Sequence, residues 1–387
     1  MSTLEQLHQK AIKYYEEKDL DNALNCYLEI MKINPIDEVA LSCIMDIYLE
    51  KDDKVNYYLA RANVNISQNK IEYAINDTKK ALNLDIDNVE IRKKLARLYR
   101  VNKKNLKAVD EFSRVLQMDE KAYEVYFELI DLYMVENAPD SAINIALNGL
   151  KIYPDDDNLS NALAQIYFRN DNLKAALEVV KDKLLKIKIL LQDNQNEEAQ
   201  KLLSRVDASE LDENGLRNYY ILLAQYYYNV KKFDYALENV EKYSSLKGPD
   251  AISFQMKALI YEEKEDEENA YINWGFCKKY QGKSDEAIVE FDHAYKINPK
   301  NKTALIELAK LYQQNKERYV AIEYWQKVYE IDKDAEAKEI LAEFYYSEGD
   351  FKKAEQYGKV IEKKEEKEVQ QEQYEGLIDK IMKFFTK

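Results

Sequence analysis

Residues that interrupt helices are scarce in this sequence, which has only 8 glycines and 5 prolines among 387 residues. Soluble proteins on average use several times more of both, so the composition favours long stretches of helix. Cysteine and histidine are scarcer still, with 3 and 2 residues. An odd number of widely spaced cysteines without a C-x-x-C pair predicts neither a disulfide framework nor a zinc site.

Positive charge is also in deficit, because 57 lysines and arginines stand against 72 aspartates and glutamates and the net charge is -15. Binding to phosphate backbones needs clustered cationic charge, so we do not expect a nucleic-acid partner. No stretch approaches the roughly 18 apolar residues of a membrane helix. The first residues lack the basic and apolar regions of a signal peptide. The sequence therefore predicts a cytoplasmic protein.

Motifs typical of catalysis are missing from the sequence as well. It contains no Gly-rich phosphate loop, no G-x-S-x-G turn and no H-E-x-x-H pair. The acidic run at 262–268 lacks the spaced ligands and the glycine of a calcium loop. We therefore expect no enzyme activity, no catalytic residues, no metal site, no cofactor and no small-molecule substrate.

Tyrosine is abundant, with 32 residues, and many of them recur at a fixed interval. Alignment on one alanine per unit, the anchor alanine, gives ten units whose commonest spacing is 34 residues. An alanine or glycine stands twelve residues before the anchor in eight units, and a tyrosine stands nine before it in seven. Small residues let two antiparallel helices approach closely, so each unit is predicted to be a helical hairpin. The anchor alanines are Ala23, Ala74, Ala108, Ala142, Ala176, Ala199, Ala236, Ala287, Ala321 and Ala354.

This grid resembles the tetratricopeptide repeat, whose pattern combines W-x2-L-G-x2-Y, A-x3-F and a closing proline. The segment 271–299 matches it best, through Gly275, Ala287, Phe291 and Pro299. The resemblance implies an all-α fold, a TPR-type α-α superhelix (solenoid) of about ten helical hairpins with extra single helices and a C-terminal capping helix. It covers most of the chain.

Members of this family usually hold a partner on the concave face, which the first helix of each hairpin lines. The resemblance therefore implies a non-enzymatic scaffold or adaptor for a protein or peptide partner. The partner's identity does not follow, because the residues that define the repeat are packing residues that serve many partners.

Two steps between anchors are 51 residues long, which is one repeat plus one additional helix, and predict extra helices at 38–50 and 251–263. The offset between these segments also carries Ala23 onto Ala236 and Ala74 onto Ala287. An internal duplication explains the offset. The alternative is that any two sets of such repeats look alike once they are placed in register. We expect one repeat block over 1–212, a second over 213–361, and a charged segment with an amphipathic helix over 362–387.

Residues that face outward on the predicted first helices are candidates for partner binding. Amide side chains can hold an extended peptide backbone, and exposed aromatic rings contribute strongly to binding, unless neighbouring helices cover them. A basic stripe that includes Lys94 and Arg97 either attracts an acidic partner or pairs with Glu128 and Asp131 of the next unit. The polar and aromatic candidates are Asn161, Gln165, Phe168, Gln225, Tyr228, Asn229, Asn273, Phe276 and Tyr280.

The segment 374–387 has apolar residues at helical spacing, flanked by lysines. A repeat array needs a closing helix, and we favour that function. The alternative is a membrane-associated assembly factor that docks on a membrane surface through this helix. The apolar residues are Leu377, Ile378, Ile381, Met382 and Phe385.

Overall fold

A computed structural model describes residues 3–360 of the chain. These residues form 22 α-helices, one short 3-10 turn at Ala208–Glu210 and no strand. The helices are α1 (Thr3–Glu16), α2 (Leu20–Ile33), α3 (Glu38–Glu50), α4 (Lys54–Ser67), α5 (Ile71–Leu84), α6 (Val89–Val101), α7 (Asn105–Met118), α8 (Tyr123–Val135), α9 (Pro139–Ile152), α10 (Asp157–Arg169), α11 (Leu173–Val179), α12 (Lys183–Gln192), α13 (Asn196–Leu203), α14 (Glu213–Asn229), α15 (Phe233–Lys247), α16 (Ala251–Glu263), α17 (Glu267–Tyr280), α18 (Ser284–Ile297), α19 (Lys302–Gln314), α20 (Arg318–Asp332), α21 (Ala335–Ser347) and α22 (Phe351–Gln356).

The anchor alanines lie where the two helices of a hairpin cross. Nine of the ten have no exposed surface, and the tenth, Ala321, is 2% exposed. The small residue twelve positions earlier is buried too, and at Gly275 the packing is so close that an added Cβ would lie 2.7 Å from a ring carbon of Phe291. The crossing therefore leaves no room for larger side chains.

The turns inside the hairpins share one hydrogen-bond pattern. At the end of α1, the Lys18 N–H donates to Tyr15 O at 3.1 Å and the Asp19 N–H to Tyr14 O at 2.9 Å. This is the Schellman arrangement, which satisfies the last carbonyls of a helix. In seven hairpins the recurring tyrosine supplies the second of these carbonyls: Tyr14, Tyr99, Tyr133, Tyr167, Tyr227, Tyr312 and Tyr345.

The residue that closes such a turn has a positive φ, yet it is seldom glycine. Eleven non-glycine residues within 3–360 have φ between 52° and 64°, including Lys18, Lys103 and Lys231. The left-handed conformation costs a residue with a Cβ about 1–2 kcal/mol. The shortage of glycine in the sequence is thus matched by a series of mildly strained turns.

The chain divides into two compact units between Ile189 and Leu190. Both units contain the same run of four helices, because one constant offset carries both ends of each helix from α3 to α6 onto those of α16 to α19. The first helix of each run, α3 and α16, spans the range expected for an extra helix. The expected block boundary at 212 lies inside the second unit and stays a prediction.

The strained turns lead to a prediction about Lys103, which has φ 55° and a side chain exposed to solvent. Lys103→Gly should raise the free energy of unfolding by about 1 kcal/mol, because glycine removes the clash of the Cβ. Urea denaturation followed by circular dichroism measures the change. Lys103→Ala is the matched control, since it removes the same side chain but keeps the Cβ; an equal gain in both variants contradicts the explanation.

Candidate functional site

The basic stripe on α6 is paired with carboxylates of α8. Arg97 Nε donates to Glu128 Oε1 at 3.1 Å, and Arg100 forms an ion pair with the same carboxylate. Arg100 also lies 3.5 Å from Asp131. The ladder between adjacent repeats, one of two interpretations open from the sequence, is therefore formed. Binding of an acidic partner at Arg97 stays a prediction, and such a partner would have to displace Glu128.

Lys94, on the same helix, is half-buried and has a different environment. Its Nζ donates to Asn63 Oδ1 of α4 at 2.5 Å, and no carboxylate of residues 3–360 forms an ion pair with it. Burial lowers the pKa of Lys94 to about 8. A neutral acceptor and a depressed pKa make Lys94 a weak point of attraction for an acidic ligand.

A groove of about 450 Å³ lies in the first unit, between α8, α10 and the start of α12. It is formed on first helices of consecutive hairpins, the face on which the repeat pattern predicts a partner site. Two predicted candidates, Asn161 and Gln165, line it. The full lining is Phe127, Ile130, Asp131, Met134, Asn158, Asn161, Ala162, Gln165, Ile166, Arg169, Asp182 and Leu185.

One wall of the groove is fixed by Asn161. Its Oδ1 accepts hydrogen bonds from the N–H groups of Lys181 and Asp182, both at 2.8 Å. Asp182 then accepts from Leu185 N–H at 2.6 Å and caps the start of α12. The carbonyl oxygen of Asn161 therefore holds the protein's own backbone just before α12, which shows that an amide here can accept hydrogen bonds from main-chain N–H groups.

The rim of the groove keeps polar groups available. The side chains of Gln165 and Arg169 are exposed, and neither forms a hydrogen bond or ion pair with another residue in the described range. The floor between α8 and α10 is apolar, with Ile130 and Ile166 buried and Met134 half-buried. An amide and a guanidinium above an apolar floor can hold a peptide backbone, an aliphatic side chain and a carboxylate together.

Phe168 is on α10 but does not line the groove. Its ring is half-buried and packs beside the buried Ala164, Ala176 and Val180. Lys188 Nζ lies 5.3 Å from the ring centroid and covers part of it. The aromatic surface offered to a partner at this position is therefore smaller than the sequence suggests.

The amide candidates on α14 in the second unit hydrogen-bond within the protein. Asn229 Nδ2 donates to Leu191 O and to Asn196 Oδ1, both at 3.0 Å. Gln225 Nε2 donates to Asn229 Oδ1 at 2.8 Å. These side chains hold α14 to the residues around α13, and their binding role stays a prediction that requires breaking these bonds.

Two further candidates of the second unit are partly or wholly buried. Asn273 is 8% exposed, and its Nδ2 donates to Asn269 O of the same helix at 2.8 Å. Tyr228 packs beside Phe233, and burial raises the pKa of its hydroxyl. Neither side chain lies open on the surface.

Aromatic rings cluster where α16 meets α17. Phe276 stacks on Phe254 with ring centroids 4.9 Å apart, and its edge meets the buried Phe291 at 5.2 Å. Tyr280 lies 5.3 Å from Phe254 and is 53% exposed. Of the predicted aromatic candidates, Tyr280 is therefore the most open, whereas Phe276 belongs largely to the packing of the hairpin.

A second groove, of about 500 Å³, lies between α19 and α21 above α20. The sequence analysis missed it, although Glu339 and Glu343 precede the anchor Ala354 by the same intervals as Asn161 and Gln165 precede Ala176. Their position relative to the anchor alanine is therefore the feature of the sequence that identifies these two glutamates. The lining is Gln313, Arg318, Ala321, Ile322, Trp325, Glu339, Ile340, Glu343, Phe344 and Ser347.

Neither metal ligands nor a membrane span stand out between residues 3 and 360. No three His, Cys, Asp or Glu side chains of this part of the chain come together in an arrangement that could hold a metal ion. None of its helices combines the length and apolar character needed to cross a bilayer. The amphipathic helix expected near the C-terminus lies outside the described residues.

Comparison with known proteins identifies the type of repeat. Residues 102–166, which include α7, α8, α9 and most of α10, match the tetratricopeptide repeat family model. No curated protein matches the sequence. The matched range contains the α8 lining of the first groove and the α10 lining except Arg169.

Several solved structures match this chain at low identity. A Naa15/Naa10 complex bound to HypK-THB is 17% identical, with 90% of this chain and 67% of that chain covered and a TM-score of 0.34. A tetratricopeptide repeat protein from Parabacteroides merdae is 16% identical, with 80% and 98% covered and a TM-score of 0.36. The Cut9–Hcn1 hetero-tetramer of APC/C is 14% identical, with 92% and 86% covered and a TM-score of 0.26. These scores are too low to say what this chain binds.

The contacts of Asn161 generate a prediction about the groove wall. Asn161→Ala should lower the free energy of unfolding by about 1 kcal/mol, because two N–H groups lose their acceptor. The same change should speed hydrogen exchange at the amides of Lys181 and Asp182, measured by mass spectrometry. Asn161→Asp keeps an acceptor oxygen and serves as the control. If these amides exchange equally fast in all three proteins, Asn161 does not hold the wall.

Proposed function

We propose that this chain, a tetratricopeptide-repeat protein, is a non-enzymatic scaffold that holds an extended peptide segment of a partner protein in the groove between α8 and α10. The observation that supports it most is the pair of rim side chains, Gln165 and Arg169, which have no partner within residues 3–360 and stand above an apolar floor. We place this activity in the cytoplasm, where the sequence analysis expects the protein.

The chemistry of the groove defines the kind of peptide. The floor formed by Ile130, Met134, Ile166 and Leu185 fits one aliphatic side chain, whose burial contributes about 1.5–3 kcal/mol. Arg169 favours a carboxylate beside that residue, from Asp, Glu or a chain terminus. A solvent-exposed ion pair contributes at most about 1 kcal/mol, so the aliphatic residue supplies affinity and the arginine supplies orientation.

The backbone of the bound segment is the third element of recognition. Gln165 presents both an amide donor and a carbonyl acceptor, and an extended strand exposes N–H and C=O groups at matching intervals. The carbonyl oxygen of Asn161 already accepts from main-chain N–H groups, those of Lys181 and Asp182. A peptide on Gln165 would use the same kind of acceptor, together with the amide donor.

Selection from a displayed library of random peptides, with the full chain as bait, tests the proposal. The selected peptides should share an aliphatic residue next to an acidic one. Arg169→Gln should weaken their binding five- to tenfold in titration calorimetry, about 1 kcal/mol. Ala162→Phe, which fills the groove, should weaken it more than tenfold.

Lys174→Gln is the matched control, because it removes one exposed cation from α11, outside the groove. It should leave the affinity unchanged. Selected peptides that bind Ala162→Phe as tightly as the unaltered chain would place the binding site elsewhere. An equal loss of affinity in Arg169→Gln and Lys174→Gln would mean that Arg169 acts only through the net charge of the protein.

A further inference from the structure

The groove of the second unit differs chemically from that of the first. Ile322, Ile340 and Phe344 form its apolar sides, and the indole of Trp325 lies beneath them. Glu339 is exposed on the rim and forms no ion pair or hydrogen bond with another residue of the described range. Of the other charged residues in the lining, Arg318 pairs with Glu348 and Glu343 pairs with Lys359. An unpaired carboxylate beside an apolar trough fits a segment that is apolar on one side and cationic beside it.

The described chain ends next to this groove. Lys359 forms an ion pair with Glu343, which is one of the lining residues. The sequence continues from there to Lys387, and residues 361–373 precede the apolar segment. A connection of this length can span up to roughly 40 Å, so the segment that follows can reach the trough.

That segment has the complementary composition. Residues 374–387 carry five apolar side chains at helical spacing, together with Lys380, Lys383 and Lys387. The two acidic residues of the segment, Glu375 and Asp379, precede these lysines, so its last eight residues are cationic, and Glu339 and Glu343 are carboxylates on the rim of the trough.

We propose that residues 374–387 dock in cis in the groove between α19 and α21, with their apolar side against Ile322, Ile340 and Phe344. A lysine of the segment then pairs with Glu339, while Glu343 keeps its ion pair with Lys359. Docking covers an apolar trough and gives Glu339, which is unpaired among residues 3–360, a cationic partner. The docked segment is an internal competitor, which a partner must displace before it can use the groove. This docking is independent of peptide binding beside α10.

Zero-length cross-linking of the full chain with a carbodiimide tests the proposal, because the reagent joins a carboxylate to an amine only where they touch. At dilute protein concentration, peptide mass spectrometry should find Glu339 joined to Lys380 or Lys383. The pair Glu343–Lys359 is a positive control, since both residues are described and already in contact. A mixture of isotopically light and heavy chains distinguishes links within one chain from links between two.

Phe385→Asp should reduce the yield of the Glu339 link at least tenfold, because it places a charge on the apolar side. Thr386→Asp adds the same charge beside that side and should leave the yield within twofold. Both variants change residues outside the described fold, and the Glu343–Lys359 link reports that the groove is intact.

Three outcomes overturn the docking in cis. The first is the absence of any link from Glu339 or Glu343 to the segment 374–387 while the control link forms. The second is a link found only between light and heavy chains, which means that a second copy fills the groove. The third is a Glu339 yield that Phe385→Asp leaves unchanged. Flotation with vesicles containing anionic lipid, abolished by Phe385→Asp, would assign the segment to a membrane surface instead.

Discussion

The close approach of two helix backbones at each hairpin crossing is the constraint on which the rest of the structure depends. The anchor alanines place only a methyl group at these crossings, and all ten are buried. Because the crossing admits no larger side chain, the pairing of the helices and the direction of their outer faces are fixed together. The grooves on α8, α10, α19 and α21 lie on surfaces that these crossings orient.

The same constraint explains why the fold can be predicted so far from the sequence. Packing residues recur with the repeat, so an extra helix shows as a lengthened step, and α3 and α16 occupy the ranges that the steps imply. The candidate site is harder to predict. A helical position can be assigned to the outer face, but the sequence does not say what lies opposite. Asn229, at such a position, donates to the backbone of Leu191, whereas the side chain of Gln165 forms no hydrogen bond with a described residue.

Residue type is a weaker guide to a binding face. A preference for amides and aromatic rings selects Phe276, a ring held between Phe254 and Phe291, and passes over Glu339, which stands at the repeat position of Asn161. Position in the repeat is therefore the stronger guide. Polar pairs between adjacent first helices recur at one sequence separation, as in Lys93 with Glu124 or Arg97 with Glu128. Side chains at these positions that lack such a pair are the better candidates for binding a partner.

The left-handed turns have a consequence for how such a protein can change over evolutionary time. New ligands require substitutions on the binding faces, and most substitutions lower stability. Each turn closed by a lysine, aspartate or asparagine is a position where one change to glycine restores stability without touching a binding face. Because glycine is scarce in these turns, many stabilising changes to glycine are still available. They are spread along the chain and lie apart from the surfaces that select partners.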